Sequence, residues 1–187
     1  MDNVLTLKTV NELSEFSFFI PSYQRGYRWT TKEVEDLLND INEFKPRLID
    51  DTDEKTWYCL QPIVVKNREE NIYEVIDGQQ RLTTIYLILT YLNQDFVESR
   101  RDKIFQIDYE TRDKTRIFLE NLGVYTKEYD NIDFYYINEA FTKIVDWFEE
   151  KDINFDKGEF RSKFKFSSKI IWYESFENIG VQGVQTR

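Results

Sequence analysis

Asp77-Gly78-Gln79-Gln80-Arg81-Leu82-Thr83-Thr84 gathers a carboxylate, a glycine, two amides, a guanidinium and two hydroxyls into one short run. The apolar stretch before it has strand character and the spacing after it is helical, so the run opens a helix. A helix start offers unpaired backbone N–H groups and the positive end of the macrodipole, and both favour anions. Gly78 can take a positive φ and let a ligand approach the backbone. Arg81 brings a fixed charge with a planar donor fork suited to phosphate. Asp77 can hold a divalent metal or orient a water, Gln79 and Gln80 can donate or accept hydrogen bonds, and Thr83 and Thr84 add hydroxyls on the first turns. The plainer alternative is a capped turn: Asp77 as N-cap, Gly78 as the tight turn, the amides and Arg81 solvated. The residues alone leave both open. No Gly-Lys-Ser or Gly-Lys-Thr occurs, so this is not a Walker loop.

A second run, Ile20-Pro21-Ser22-Tyr23-Gln24-Arg25-Gly26-Tyr27-Arg28-Trp29, concentrates arginine and aromatic side chains in an otherwise acidic chain. Guanidinium on phosphate with a ring against a base is one way to hold a nucleotide. Taken alone, the run fits better as a loop whose rings staple the next helix and whose Arg25 and Arg28 pair with acidic residues behind them.

The elements that must position these runs follow from periodicity. Leu5 to Phe19 fits a short strand or a helix pair. Thr30, three residues before Glu33, has capping-box spacing, and Val34, Leu37, Leu38, Ile41 and Phe44 follow at helical spacing. The acidic stretch Asp50 to Glu54 suits a solvated loop. Trp57 to Lys66 is strand-like, with Pro62 marking an edge or a bulge. Ile72 to Ile76 completes a β-hairpin, and Leu82, Ile85, Tyr86, Leu89 and Leu92 carry the helix after Gly78. The middle has helical patterning: Thr111 as a cap before Ile117, Phe118 and Leu122, then Asp133 as a cap before Ile137, Ala140, Phe141, Ile144, Val145 and Phe148. From Gly158 the spacing of Phe160, Phe164 and Phe166 suggests β structure again. The predicted architecture is α+β: a core over residues 1–100, a helical segment over 101–157 and a returning β segment over 158–187. Beyond Ile179 the chain carries few apolar side chains, which suggests a truncated domain.

Composition excludes whole classes. The chain has 187 residues, a net charge of −10 and no histidine. Ser-His-Asp catalysis, His-ligated zinc and an HNH nuclease centre are therefore ruled out within it. Cys59 is the only cysteine, so no intrachain disulfide forms. The acidic balance argues against a broad basic nucleic-acid platform, though a local basic site is compatible with it. Aromatics make up 17% of the chain, and their periodicity assigns most of them to the core rather than to base-stacking platforms. With no signal-peptide pattern and no apolar run of membrane-spanning length, a soluble cytoplasmic protein is expected.

Together, the Ile-Pro-x-Tyr-Gln-Arg-x-Tyr-x-Trp run, the hairpin and the Asp-Gly-Gln-Gln-Arg-Leu-Thr-Thr box resemble the N-terminal domain of GmrSD-type, modification-dependent restriction endonucleases. The resemblance is strong from Ile20 to Leu92, looser through the helical middle, and weak at Tyr173 to Ile179. It implies a fold similar to the ParB/sulfiredoxin superfamily, in which a Gly-x-x-Arg box at a helix start contacts a nucleotide phosphate; the matching positions are Gly78 and Arg81. It also implies binding and hydrolysis of a nucleoside triphosphate with a divalent metal such as Mg²⁺, in support of cleaving modified phage DNA. The implied site is Asp77, Gly78, Gln79, Gln80 and Arg81, faced by Pro21, Tyr23, Gln24 and Arg25. Thr83 and Thr84 join the nucleotide-binding set, Asp77 and Arg81 carry the catalytic roles, and Asp77 is the metal ligand. The HNH-type nuclease would be a domain or subunit outside this chain. One departure stands out: family members often carry Leu-Gly on the first hairpin strand where this chain has Leu60-Gln61. The competing expectations are a non-catalytic module that binds DNA or a partner, and an inactive fragment of a larger protein.

Overall fold

The computed structural model describes residues 3–110, 118–119, 121–122 and 132–176. Its centre is a six-stranded mixed sheet in the order β1-β6-β3-β4-β2-β5. The strands are β1 (Val4–Thr9), β2 (Ser17–Ile20), β3 (Tyr58–Glu69), β4 (Ile72–Asp77), β5 (Gln106–Tyr109) and β6 (Ser168–Glu174). β3–β4 and β1–β6 are antiparallel, whereas β2 runs parallel to both β4 and β5, and β3 parallel to β6. Four α-helices are described: α1 (Thr31–Glu43), α2 (Gln79–Asn93), α3 (Ile132–Glu149) and α4 (Lys157–Ser162). The fold is α+β, as the element order predicts.

Several local expectations hold for the reasons given. Thr30 and Glu33 form a reciprocal capping box at the start of α1, with Thr30 N–H donating to Glu33 Oε2 at 2.8 Å. Val34, Leu37, Leu38 and Ile41 bury the face that the spacing defines. The hairpin forms, and Pro62 sits beside a break in register between β3 and β6, so a proline is accommodated in a strand with neighbours on both sides.

Other expectations are corrected. Leu5 to Phe19 is strand, a 3₁₀ turn at Asn11–Glu15, then strand. The middle is not wholly helical, because β5 extends the sheet beyond β2. Residues from Gly158 to Ser167 are helical rather than β. Asp156 caps α4, accepting from Glu159 N–H at 2.9 Å, and a π-helical turn covers Lys163–Ser167. A four-residue interval puts two side chains on one face of a helix as well as on one face of a strand. Phe160 and Phe164 use the helical option, both fully buried, Phe160 against Trp147, Phe148 and Phe155 and Phe164 against Phe160. Thr111, Ile117 and the residues after Phe176 lie outside the described residues, while Phe118 and Leu122 are buried.

The aromatic residues do build the core. Phe16, Phe18, Tyr73, Phe105 and Trp172 pack edge-to-face or tilted against one another beside the sheet. A second group, Tyr91, Trp147, Phe148, Phe155 and Phe160, joins α2, α3 and α4. Both α1 and α2 pack on α3, which fixes the start of α2 relative to the loop before α1. Among the described residues no helix is long and apolar enough to cross a membrane.

Candidate functional site

β4 ends at Asp77, and Gly78 turns the chain into α2 with φ +91°. Side chains rarely adopt that conformation. Space is tight as well: a Cβ on Gly78 would lie 3.0 Å from Ile63 Cγ1 and 3.2 Å from Pro62 O, so its neighbours would have to give by a few tenths of an ångström. The glycine thus lets the helix start press against the β3 bulge. On the bulge itself Gln61 holds a left-handed φ of +67°. This is the position where the resembling family often carries glycine, and the backbone conformation supplies the reason. The N-cap Gly78 gives α2 no side-chain cap, and among the described residues no side chain accepts from the N–H groups of its first turn.

The Pro21–Trp29 loop lies across this helix start and is tied to it by amides. Gln80 Nε2 donates to Gly26 O at 2.8 Å, while its Oε1 accepts from Arg28 N–H at 2.7 Å and Trp29 N–H at 3.2 Å. Gln79 Nε2 donates to Arg25 O. Gln24 Nε2 reaches back to Ile76 O at 2.6 Å. Tyr27, fully buried, shares a 2.8 Å hydrogen bond with Thr84 Oγ1. On the far side of the loop, Arg28 pairs with Asp133 of α3, not with the helix that follows the loop. Gly26 makes room for that carboxylate, since a Cβ there would sit 1.9 Å from Asp133 Oδ1.

The result is a cleft of about 270 Å³ that brings together Gln24, Arg25, Asp77, Gly78, Gln79, Gln80 and Arg81 with Trp29, Gln61 and Pro62. Its cations are notable for their neutral surroundings. Arg81 donates to Pro62 O at 3.1 Å and to Gln61 Oε1, and makes no ion pair among the described residues. Burial lowers the Arg81 pKa, against the pull of the nearby Asp77 charge; an arginine remains protonated regardless. Its guanidinium carbon lies 6.0 Å from the centre of the Trp29 ring. Arg25 is exposed on the rim, again without an ion pair among the described residues. The residues lining the cleft thus include two arginines, Arg25 and Arg81, and one carboxylate, that of Asp77. A second cleft of about 210 Å³ shares Trp29, Gln61 and Arg81 and is lined on its other side by Glu33, Asp36 and Asp40.

Four predicted residues sit elsewhere. Thr83 and Thr84 are fully buried, bonded to Tyr109 OH at 2.7 Å and to Tyr27 OH at 2.8 Å, and to carbonyls one turn back. Pro21 is buried within the loop turn, its carbonyl accepting from Gln24 N–H. Tyr23 is exposed and donates to Glu74 Oε1 at 3.0 Å; burial and that carboxylate push its pKa up to about 12. Conversely, Trp29, Gln61 and Pro62 line the cleft without having been assigned to it. Pro62 carried a usable signal as a bulge marker, whereas nothing in the pattern placed Gln61 opposite Arg81.

Among the described residues, no three His, Cys, Asp or Glu side chains gather into a cation site. No curated protein matches the chain. The model of the GmrSD restriction endonuclease N-terminal domain matches residues 6–185, a span that takes in the whole cleft and every strand but the start of β1, and the chain belongs to that family.

Proposed function

We propose that this domain binds a nucleoside triphosphate in the cleft between the Pro21–Trp29 loop and the start of α2, hydrolyses it, and thereby regulates cleavage of modified DNA by an HNH-type nuclease domain or subunit of the same cytoplasmic anti-phage system. The observation that carries the reading is Arg81: a half-buried guanidinium held by neutral acceptors, without an ion pair among the described residues. It sits one turn into a helix that begins at a left-handed glycine without a side-chain cap. A phosphate there meets a planar donor fork and unpaired N–H groups together. Arg25 on the rim adds charge in a chain whose net charge is −10. The strand, Gly78, helix and Arg81 order also supports a ParB/sulfiredoxin-like arrangement. Mg²⁺ enters as the counter-ion carried on the triphosphate, which needs only one or two protein carboxylates; Asp77 is the one on this cleft.

The test is thermal melting of the chain with ATP, GTP, CTP and UTP in the presence of Mg²⁺, for the native protein and Arg81→Ala. At 100 times its dissociation constant a ligand stabilises the fold by about 2.7 kcal/mol. A shift in the native protein that disappears in the variant supports the reading. No shift with any of the four, or one that survives Arg81→Ala, sinks it and leaves the DNA- or partner-binding module.

A further inference from the structure

β1 is an outer strand of the sheet, bonded to β6 on one side and open on the other among the described residues. Which backbone groups face the open side follows from the register. Val10 N–H donates to Ser168 O at 3.2 Å and continues the antiparallel pairing of Thr9 with Lys169. Backbone groups alternate along such a pair, so Val4, Thr6 and Lys8 point theirs at β6. Leu5, Leu7 and Thr9 point theirs away from it. Thr9 N–H accordingly goes to Glu12 Oε2, at 2.6 Å. Leu5 and Leu7 keep both backbone groups on the open edge.

Proteins usually blunt such an edge with charge, proline or a bulge. The pairing of β1 with β6 has no bulge, and the only charged residue of β1, Lys8, lies over the rings of Phe16 and Trp172. Leu5 and Leu7 are 66% and 42% exposed. They share a face of the sheet with their register partners Tyr173 and Ile171, both half-buried. An apolar stripe therefore runs out to the open edge and stops there.

The order of residues selects the occupant. Leu5 and Leu7 flank Thr6 symmetrically. A second copy of the strand, antiparallel about a two-fold axis at Thr6, brings Leu5 opposite Leu7 on both sides of the axis. Each such pair exchanges two N–H···O bonds. The register also aligns Tyr173 and Leu5 with Leu7 and Ile171 of the second copy in one apolar row. Lys8 meets Val4, so no like charges face each other. A shift of two residues either way puts a leucine opposite Thr9, whose N–H Glu12 already holds, or opposite the polar Asn3.

We propose that β1 is a self-association edge: two copies of the chain pair through Leu5–Leu7 and join their sheets across a two-fold axis. β6 separates β1 from β3 and β4, the strands that lead to the cleft. The contact uses no cleft residue and stands apart from the nucleotide reading.

The experiment is sedimentation equilibrium between about 1 and 300 µM, a range suited to a small interface. It compares the native chain with Leu5→Lys and Leu7→Pro, each checked for folding by circular dichroism. Leu7 N–H faces the open edge, so proline there removes an interface donor and no bond to β6. The native mass should climb towards twice the monomer's, with dissociation constants at least about tenfold weaker in each variant. Cross-linking fixes the register, and decides the case if either variant fails to fold. In a Cys59→Ser background, Thr6→Cys should form an intermolecular disulfide in diamide, because the position faces itself at a Cα spacing of about 4.5 Å. Val4→Cys should not, since its two copies lie about 14 Å apart. A native chain that stays monomeric throughout overturns the proposal. So does a dimer that survives either substitution in folded form, or one that cross-links through Val4→Cys and not through Thr6→Cys.

Discussion

Gln80 Oε1 lies 2.7 Å from the backbone nitrogen of Arg28, while the Nε2 of the same amide lies 2.8 Å from Gly26 O. One buried side chain therefore satisfies both polarities of a loop that has no strand to pair with. Replacing it by alanine leaves Gly26 O and the N–H groups of Arg28 and Trp29 without partners. The expected loss is about 3 kcal/mol in urea unfolding. Gln80→Glu keeps the acceptor and should fall between the two. A Gln80→Ala protein as stable as the native one would show that the loop is held by other means.

Gly78 and Gln61 test backbone strain from opposite sides of the cleft. Both hold positive φ, but only one is glycine. Gly78→Ala should cost about 2 kcal/mol, from the left-handed backbone and the crowding by Ile63. Gln61→Gly should change stability by less than about 1 kcal/mol, because relief of strain offsets the entropy of a freer unfolded chain. It also removes an acceptor of Arg81. Chemical denaturation of the two variants gives the comparison, and equal losses in both would contradict it.

Gly26 and Asp133 are coupled by space alone. Gly26→Ala drives a methyl into a carboxylate held by Arg28, and should cost about 3 kcal/mol. In Gly26→Ala/Asp133→Ala the clash is gone, so the double variant should be more stable than the two single losses sum to by at least about 1 kcal/mol. Strict additivity in the double-mutant cycle would mean that α3 does not press on the loop.

Asp102 gives the pH dependence. Burial pushes its pKa up, but hydrogen bonds and charge from Lys165 and Arg161 outweigh this and hold it below its ordinary value of 3.8. A carboxylate with a depressed folded-state pKa stabilises the fold above its unfolded pKa and loses that contribution as pH falls through the folded value. The native protein should therefore exceed Asp102→Asn in stability by about 1 kcal/mol near neutrality, a figure limited by partial exposure. That margin should shrink steadily below the ordinary carboxylate range. A margin independent of pH between neutrality and pH 2 would exclude the charge as its source.

Features that depend on neighbours along the chain were legible in the order of residues. The capping box at Thr30 and Glu33, the hairpin, the helix after Gly78 and the buried faces of α1 and α3 follow from local spacing, because period and capping are properties of a few consecutive residues. The glycine and arginine of the candidate cleft were legible for the same reason. Other features depend on contacts made between distant parts of the chain. Phe160 and Phe164 are compatible with strand or helix until Trp147 and Phe148 supply a surface for Phe160, against which Phe164 then packs. The roles of Gln79 and Gln80 depend on carbonyls and N–H groups some fifty residues earlier, and those of Thr83 and Thr84 on two tyrosine hydroxyls. A polar side chain becomes ligand, clamp or core according to what the fold brings opposite it, and no spacing along the chain encodes that distance.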